Sequence, residues 1–571
     1  MNIENSFVNE KISIRAPYEV MKLDRMGAAF PTRISFMRRL IRQMKREKWK
    51  IEKKMNSLDG NGFGYMLYVV TTPFHTYSLV CFSHSIKPEQ RTDRVIANEW
   101  DATFTLYDGI PDQGDIKRLA DNTPKQEAGR FQSTELVISR ANKSIRLFEN
   151  VIDILSQGNQ PKPDMINRVG YLMRTTAVYA NGKFGLCDRF HYADRLELSP
   201  PFQAEMLTVY LIRLFTFDLV DHIAFNRNPS LATKLDRRLK RHLGIGNATG
   251  LGMAPFLISH PILIHNWFYA REVALQKIRS IKTISPFELL RFRNLAMKAE
   301  QHVKEWNVDD DTQAKNIANL VRELNKLIEW TENEKLISCL NPWNFLYLTA
   351  LNRFSIEGQE LLLSLLLEPY PEIVDSIGES LEVNHEEFFN SCLTVDDTKN
   401  IIDRYYQWAL AINFNDPNES YHFWYYSKEK LEPRRGVRSQ EPGADKEMQI
   451  AIARDVQSFR KKLDVVNGKD LLATFVMRYN EYRHIALRVQ IGAKYNYAEI
   501  QDNVISATCR PVNILRGKLA FFGASKFDPK SDLWTRITMY QGAPLSDEIN
   551  RNDADDWCFP VKPVINQCKS H

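Results

Sequence analysis

Apolar and polar positions follow two different periods along this chain. From Glu205 to Ala224, Pro286 to Glu305, Thr312 to Glu332 and Pro342 to Leu367, apolar residues recur every three to four positions without interior interruption, which predicts long helices. Residues 33–55 place Met37, Leu40, Ile41, Met44, Ile51 and Met55 near helical spacing among many cations, so this stretch reads as one amphipathic basic helix. Tyr65 to Thr72, Thr76 to Ser83 and Trp100 to Tyr107 are instead rich in Val, Tyr and Thr and read as strands. The first two form a hairpin across Pro73-Phe74-His75. Glu135 to Ser156 reads as a helix capped by Ser133 or Thr134, Met448 to Leu463 and Leu471 to Arg488 as further helices, and Leu515 to Phe522 and Leu533 to Tyr540 as strands.

The fold class expected from this pattern is α+β, predominantly α-helical. Its small antiparallel β elements fall near the N-terminal third and in the C-terminal hundred residues. The organisation expected is an N-terminal α+β region (1–160) with the basic helix and a small sheet, then a helical central domain (161–412) with a glycine-rich loop. A linker or lid loop (413–447) and a C-terminal α+β region (448–571) complete it.

Composition narrows the class without identifying it. The 571 residues are 44% hydrophobic and 26% charged, as in an ordinary globular protein. A net charge of +6, from 76 basic and 70 acidic residues, creates no chain-wide field that would draw nucleic acid. Seven cysteines without a Cys-x-x-Cys spacing argue against a disulfide framework or a structural zinc site. The N-terminus lacks the apolar core of a signal peptide, and no run of 18 apolar residues occurs, so a soluble, cytoplasmic protein with no membrane span is expected.

Three segments carry candidate chemistry. Gly244-Ile-Gly-Asn-Ala-Thr-Gly-Leu-Gly252 precedes an apolar run that contains His265, Arg271 and Glu272. Read as a loop ahead of a helix, it offers Asn247, Thr249 and free backbone N–H groups to an anion. It is no dinucleotide fingerprint, because the preceding LDRRLKRHL is basic and helical in pattern, where such a fingerprint follows a buried strand. His265, Tyr269 and Glu272 are spaced i, i+4 and i+7, so Glu272 can tune His265 as a proton-transfer group on one helix face. The run Arg174 to Gly185 is rich in donors. Arg174, Thr175 and Asn181 suit a carboxylate or phosphate, and a buried Lys183 adds an acid–base group.

The function expected is therefore a metal-independent enzyme acting on an anionic small molecule, with a carboxylate, acyl or phosphate group, by acid–base chemistry. Elimination, isomerisation and cofactor-assisted oxidation all fit, and the sequence does not choose among a flavin, a nicotinamide and no cofactor. His265, Glu272 and Lys183 are the candidate catalytic residues, Arg174, Thr175, Asn181, Asn247 and Thr249 the candidate substrate-binding residues, and no metal ligand set is read. Two other readings compete. A nucleic-acid or polyanion-binding protein would use the cations of residues 33–55 and the aromatic and arginine side chains of 421–438, against which the near-neutral balance argues; a helical interaction scaffold would leave the glycines as turns.

Overall fold

The computed structural model describes residues 12–85, 100–122, 132–175, 194–249, 261–332, 335–379, 389–413, 424–427, 433–435, 447–450, 452–501, 516, 520–530, 535–551, 554 and 557–565. Helix accounts for 53% of the structure and strand for 15%, so helices dominate by number. The strands nevertheless set the architecture. They are β1 (Lys50–Leu58), β2 (Gly64–Thr71), β3 (Thr76–Ser83), β4 (Ala102–Asp108), β5 (Glu135–Lys143), β6 (Tyr171–Thr175), β7 (Gly244–Thr249), β8 (Trp424–Ser427), β9 (Pro433–Arg435), β10 (Glu447–Ile450), β11 (Ala524–Pro529) and β12 (Thr535–Met539). Nine of them form one mixed sheet in the order β1-β2-β3-β4-β5-β6-β7-β12-β11, and β10-β8-β9 form a small separate sheet. The expectation of small, separate β elements is thereby corrected. The early strands, β6 and β7 from mid-chain, and the last pair join in a single layer.

Alternation assigns the two faces of the sheet. Met66, Tyr68 and Val70 of β2 and Tyr77, Leu79 and Cys81 of β3 enter the main core, while Leu67, Val69, Val80 and Phe82 join Ile116 and Leu119 on the opposite face. The period of two in these strands therefore serves two apolar layers at once. The helix Gln203–Arg227 crosses β3 to β7 on the main-core face. It is buried along nearly its whole length, as its continuous apolar run requires.

Arg213 lies in the middle of that helix and is fully buried. Its guanidinium donates to the carbonyls of Lys240 (3.1 Å), Arg241 (2.9 Å), Leu243 (2.8 Å), Ala543 (2.9 Å) and Pro544 (3.1 Å). Three of these lie at the C-terminal end of the short helix Arg237–His242 or just past it, where carbonyls lack intrahelical partners. Burial lowers the guanidinium pKa to about 10, which leaves it charged at neutral pH. Arg213 thus anchors the entry to β7 and the turn after β12 to one helix.

Several local expectations change for identifiable reasons. The basic helix covers only Phe36–Arg46, and β1 begins at Lys50. Lys48, at φ 54°, breaks the helical path between them. Glu135–Lys143 is strand, because it pairs with β4 on one side and β6 on the other; the helix starts only at Phe148. Pro342 to Leu367 is two helices, Pro342–Leu351 and Ile356–Leu367. Ser355 caps the second by accepting the Gly358 N–H at 3.2 Å. Leu471 to Arg488 is likewise split, into Leu472–Arg478 and Arg483–Lys494. At the start of the helix Asp311–Glu332, Asp310 accepts the Gln313 N–H at 2.9 Å, as a cap does.

The glycine-rich segment is corrected most sharply. Gly244 to Thr249 is not a loop but β7, paired with β6 on one side and β12 on the other. A Cβ on Gly244 would stand 2.1 Å from the Met539 carbonyl oxygen, and one on Gly246 would stand 2.3 Å from the Tyr171 ring. These glycines permit close approach of neighbouring strands rather than a turn.

A second, wholly helical core gathers Val395, Ile402, Tyr406, Phe459, Leu463, Phe475 and Val489. It is tied to the larger core by Ile262, Ile491 and Ala498, and by backbone pairing of Lys22 with Gln501.

Two substitutions test this architecture by chemical denaturation. Arg213→Met strands the bound carbonyls and should cost about 3–5 kcal/mol. Arg213→Lys should restore little of it, since an ammonium cannot span that fan of acceptors. Gly244→Ala should cost about 1–3 kcal/mol by forcing β7 away from β12. An unchanged midpoint in either would remove the corresponding anchor from the argument.

Candidate functional site

β6 and β7 are paired parallel, in a sheet whose other adjacent pairs are all antiparallel. Arg174 is in register with Gly246, so the C-terminal ends of the two strands, Thr175 and Thr249, emerge at the same edge of the sheet. On either side, Thr175 pairs with Ala141 of β5, and Thr249 with Thr535 of β12. The two donor-rich segments picked out in the sequence, far apart along the chain, therefore start from neighbouring strands.

Of the candidate binding residues, Arg174 is half-buried and Thr175 is buried. The Thr175 hydroxyl has no hydrogen-bond partner among the described residues. A buried hydroxyl without a partner is costly, so its position at this strand end is notable. Asn247 and Thr249 are placed by their backbones, opposite Ile537 and Thr535. Asn181 and Lys183 lie outside the described residues.

His265 sits in the second turn of the helix Pro261–Arg279. Its ring stacks on Tyr269 with centroids 5.5 Å apart and meets Tyr495 edge-on at 5.1 Å. Nδ1 accepts the backbone N–H of Tyr497 at 3.1 Å. That bond leaves the proton of the neutral ring on Nε2. Burial lowers the imidazole pKa to about 4, so at neutral pH the ring is a donor through Nε2–H and a weak base. Aromatic walls, rather than a carboxylate, set its chemistry.

Glu272 is not aimed at His265. It is fully buried and receives the Arg15 fork at 2.6 and 2.8 Å and an Arg271 N–H at 3.0 Å. The same two arginines bind Glu360 at 2.6 and 2.7 Å, and Arg25 adds a third contact at 2.9 Å. Burial alone would raise the Glu360 carboxyl, but the charges of Arg15 and Arg271 overcome it and hold the group well below the usual carboxylate range. The network ties the N-terminal segment to two helices, and Tyr497, whose hydroxyl donates to the Arg15 carbonyl, links it to the His265 cage. The i, i+7 spacing places Glu272 on the helix face of His265 but does not bring the groups together, since two turns rise about 10 Å. Arg15, Glu360, Tyr495 and Tyr497 lie far from the helix in sequence, and no local signal connected them to it.

The cations of the expected basic helix also have partners. Arg33 grips Asp375 at 2.7 and 3.0 Å, Arg38 pairs with Glu368 at 2.6 Å, and Arg42 approaches Asp375 at 3.4 Å. Among the described residues no three His, Cys, Asp or Glu side chains gather as a metal ligand set, and no helix is long and apolar enough to cross a membrane. No family model, curated protein or solved structure matches the chain.

Three histidines should make stability depend on pH. Burial lowers His242 and His302 to about 3, beside the His265 value of about 4. An unfolded histidine titrates near 6.5. The folded state therefore rejects protons that the unfolded state binds below about pH 6.5. The stabilisation is full above that pH and declines as pH falls toward each folded value. For the buried His242 and His302 the slope is about 1.4 kcal/mol per pH unit each. Urea denaturation from pH 7.5 to 5.0 should show this slope, and the double variant His242→Gln, His302→Gln should flatten it. Equal slopes in both proteins would refute the assignment.

Proposed function

We propose that the protein is a metal-independent enzyme acting on an anionic small molecule bearing a carboxylate, acyl or phosphate group, received at the C-terminal ends of β6 and β7. The observation that carries this reading is the parallel pairing of the two strands, with Arg174 opposite Gly246. In α/β sheets, ligands settle in the crevice beyond the carboxyl ends of parallel strands, where backbone and side-chain donors from separate connections converge. Arg174 supplies a guanidinium fork for the anion. The Thr175 hydroxyl, which has no partner among the described residues, is a further donor at the same end.

In this reading His265 acts as a neutral hydrogen-bond donor. A ring with a pKa near 4 and Nδ1 occupied keeps a proton on Nε2 throughout the neutral range. Such a donor stabilises an oxygen that gains negative charge as a proton leaves the adjacent carbon. Glu272, committed to Arg15 and Arg271, holds the helix in place instead of tuning the imidazole. Lys183 remains the candidate general base by its residue type. The pairing of Arg33, Arg38 and Arg42 with acids weighs against a polyanion-binding surface on that segment.

A thermal-shift screen over carboxylates, acyl-CoAs and nucleotides tests the proposal. A ligand at about one hundred times its Kd should stabilise the fold by about 2.7 kcal/mol. Arg174→Ala should abolish that shift while leaving the unliganded midpoint nearly unchanged. If no compound stabilises the wild-type protein, or if Arg174→Ala responds equally, the proposed site is wrong.

A further inference from the structure

Arg15, Arg38 and Arg271 hold carboxylates in the interior, and Arg213 holds carbonyls. Arg140, half-buried in β5, holds neither among the described residues. Its Nε is sealed from solvent and has no hydrogen-bond partner there. Its guanidinium lies over the Trp100 ring, 3.9 Å from the centroid. Burial lowers the guanidinium pKa to about 10 with no acid opposing the shift, so the group is charged at neutral pH and lacks a counter-charge among the described residues. We propose that Arg140 joins Arg174 in clamping the carboxylate of a hydroxy acid, whose hydroxyl group donates to Asn142. The inference rests on the reading of Arg174 as an anion ligand, and adds to it a second cation and a class of substrate.

Strand register brings the three side chains together. Arg140 is opposite Thr103 of β4, and Asn142 is opposite Arg174 of β6. Residues directly opposed share a face of the sheet, as do residues two apart in one strand. Arg140, Asn142 and Arg174 therefore stand on one face, with the two arginines diagonal neighbours at about 7–8 Å. Ala102 and Phe104, on either side of Thr103, enter the main core, so this face is the one turned away from the helix Gln203–Arg227. The Lys143 N–H donates to the Asp101 carboxylate at 2.6 Å, which places Trp100 beside the Asn142–Lys143 end of β5. A guanidinium lying over Trp100 thus leans toward the row of Asn142 and Arg174.

The same residues select the ligand. A cation left without a counter-ion in a partly dry place costs stability, and local costs of that kind mark functional sites. The indole fixes the plane of the Arg140 guanidinium, and a fixed planar fork matches a planar carboxylate. Asn142 Oδ1 is also buried with no partner among the described residues. A bare anion would satisfy the arginines and leave that acceptor empty. A carboxylate with a hydroxyl beside it satisfies all three.

Isothermal titration of the full chain with malate and succinate, which differ by one hydroxyl, tests the inference. Malate should bind the wild-type protein at least tenfold more tightly, because succinate leaves the Asn142 acceptor unpaired. Asn142→Ala should erase that preference. Arg140→Met should bind malate at least tenfold more weakly, and by removing an unpaired charge it should raise the urea midpoint of the unliganded protein. A lowered midpoint would make Arg140 a structural support and overturn the inference. No malate binding at millimolar concentration, or a wild-type preference for succinate, would do the same. If Arg140→Met binds malate like the wild type while Arg174→Ala does not, the clamp is wrong and the reading of Arg174 stands. If both variants bind malate like the wild type, both are wrong.

Discussion

A guanidinium deep in an apolar interior is tolerable only where acceptors surround it, and Arg213 has them. Its carbonyl partners belong to the end of one short helix, the start of β7 and the turn after β12. Without that fan of acceptors, two distant pieces of chain would have no common anchor at the centre of the sheet. The parallel junction of β6 and β7 depends on it, because β7 must lie flat between β6 and β12, and glycine at 244 and 246 gives the neighbours room to close. The fold thus rests on one charge, two missing side chains and the apolar helix that carries Arg213.

What was legible in the sequence follows from the range of the forces involved. The long helices from Gln203 to Glu332 are specified by local periodicity, and the strands β2 to β4 by β-branched and aromatic alternation; both patterns are visible within a dozen residues. The misreadings share another cause. Glu135–Lys143 and Gly244–Thr249 become strands because partners elsewhere in the chain offer them ladders, and tertiary pairing overrides local propensity there. The glycines at 244 and 246 are the clearest instance. Their lack of a side chain was visible, but the neighbour that needs the space, the Met539 carbonyl or the Tyr171 ring, was not.

The candidate site shows the same division. The donor-rich character of Arg174, Thr175, Asn247 and Thr249 could be read from residue type, and their shared sheet end could not. The pairing of His265 with Glu272 rested on helix geometry alone and neglected competition for the carboxylate. Arg15, more than two hundred positions away, takes Glu272 with a two-pronged contact. An arginine fork in a dry interior outcompetes a neutral imidazole two turns along the helix. His265 is left to its tyrosines, and its chemistry follows from them.

The order of strands also bears on how the chain is made. β7 is synthesised nearly three hundred residues before β12, its hydrogen-bonding neighbour. Until residue 535 has left the ribosome, one side of β7 carries unsatisfied backbone groups beside a large apolar helix. A nascent chain in that condition is a template for pairing with other chains. Its vulnerability lasts for tens of seconds at ordinary rates of translation, about 5–20 residues per second. Protection by a chaperone, or by the helices that emerge in the interval, becomes a requirement of the topology itself.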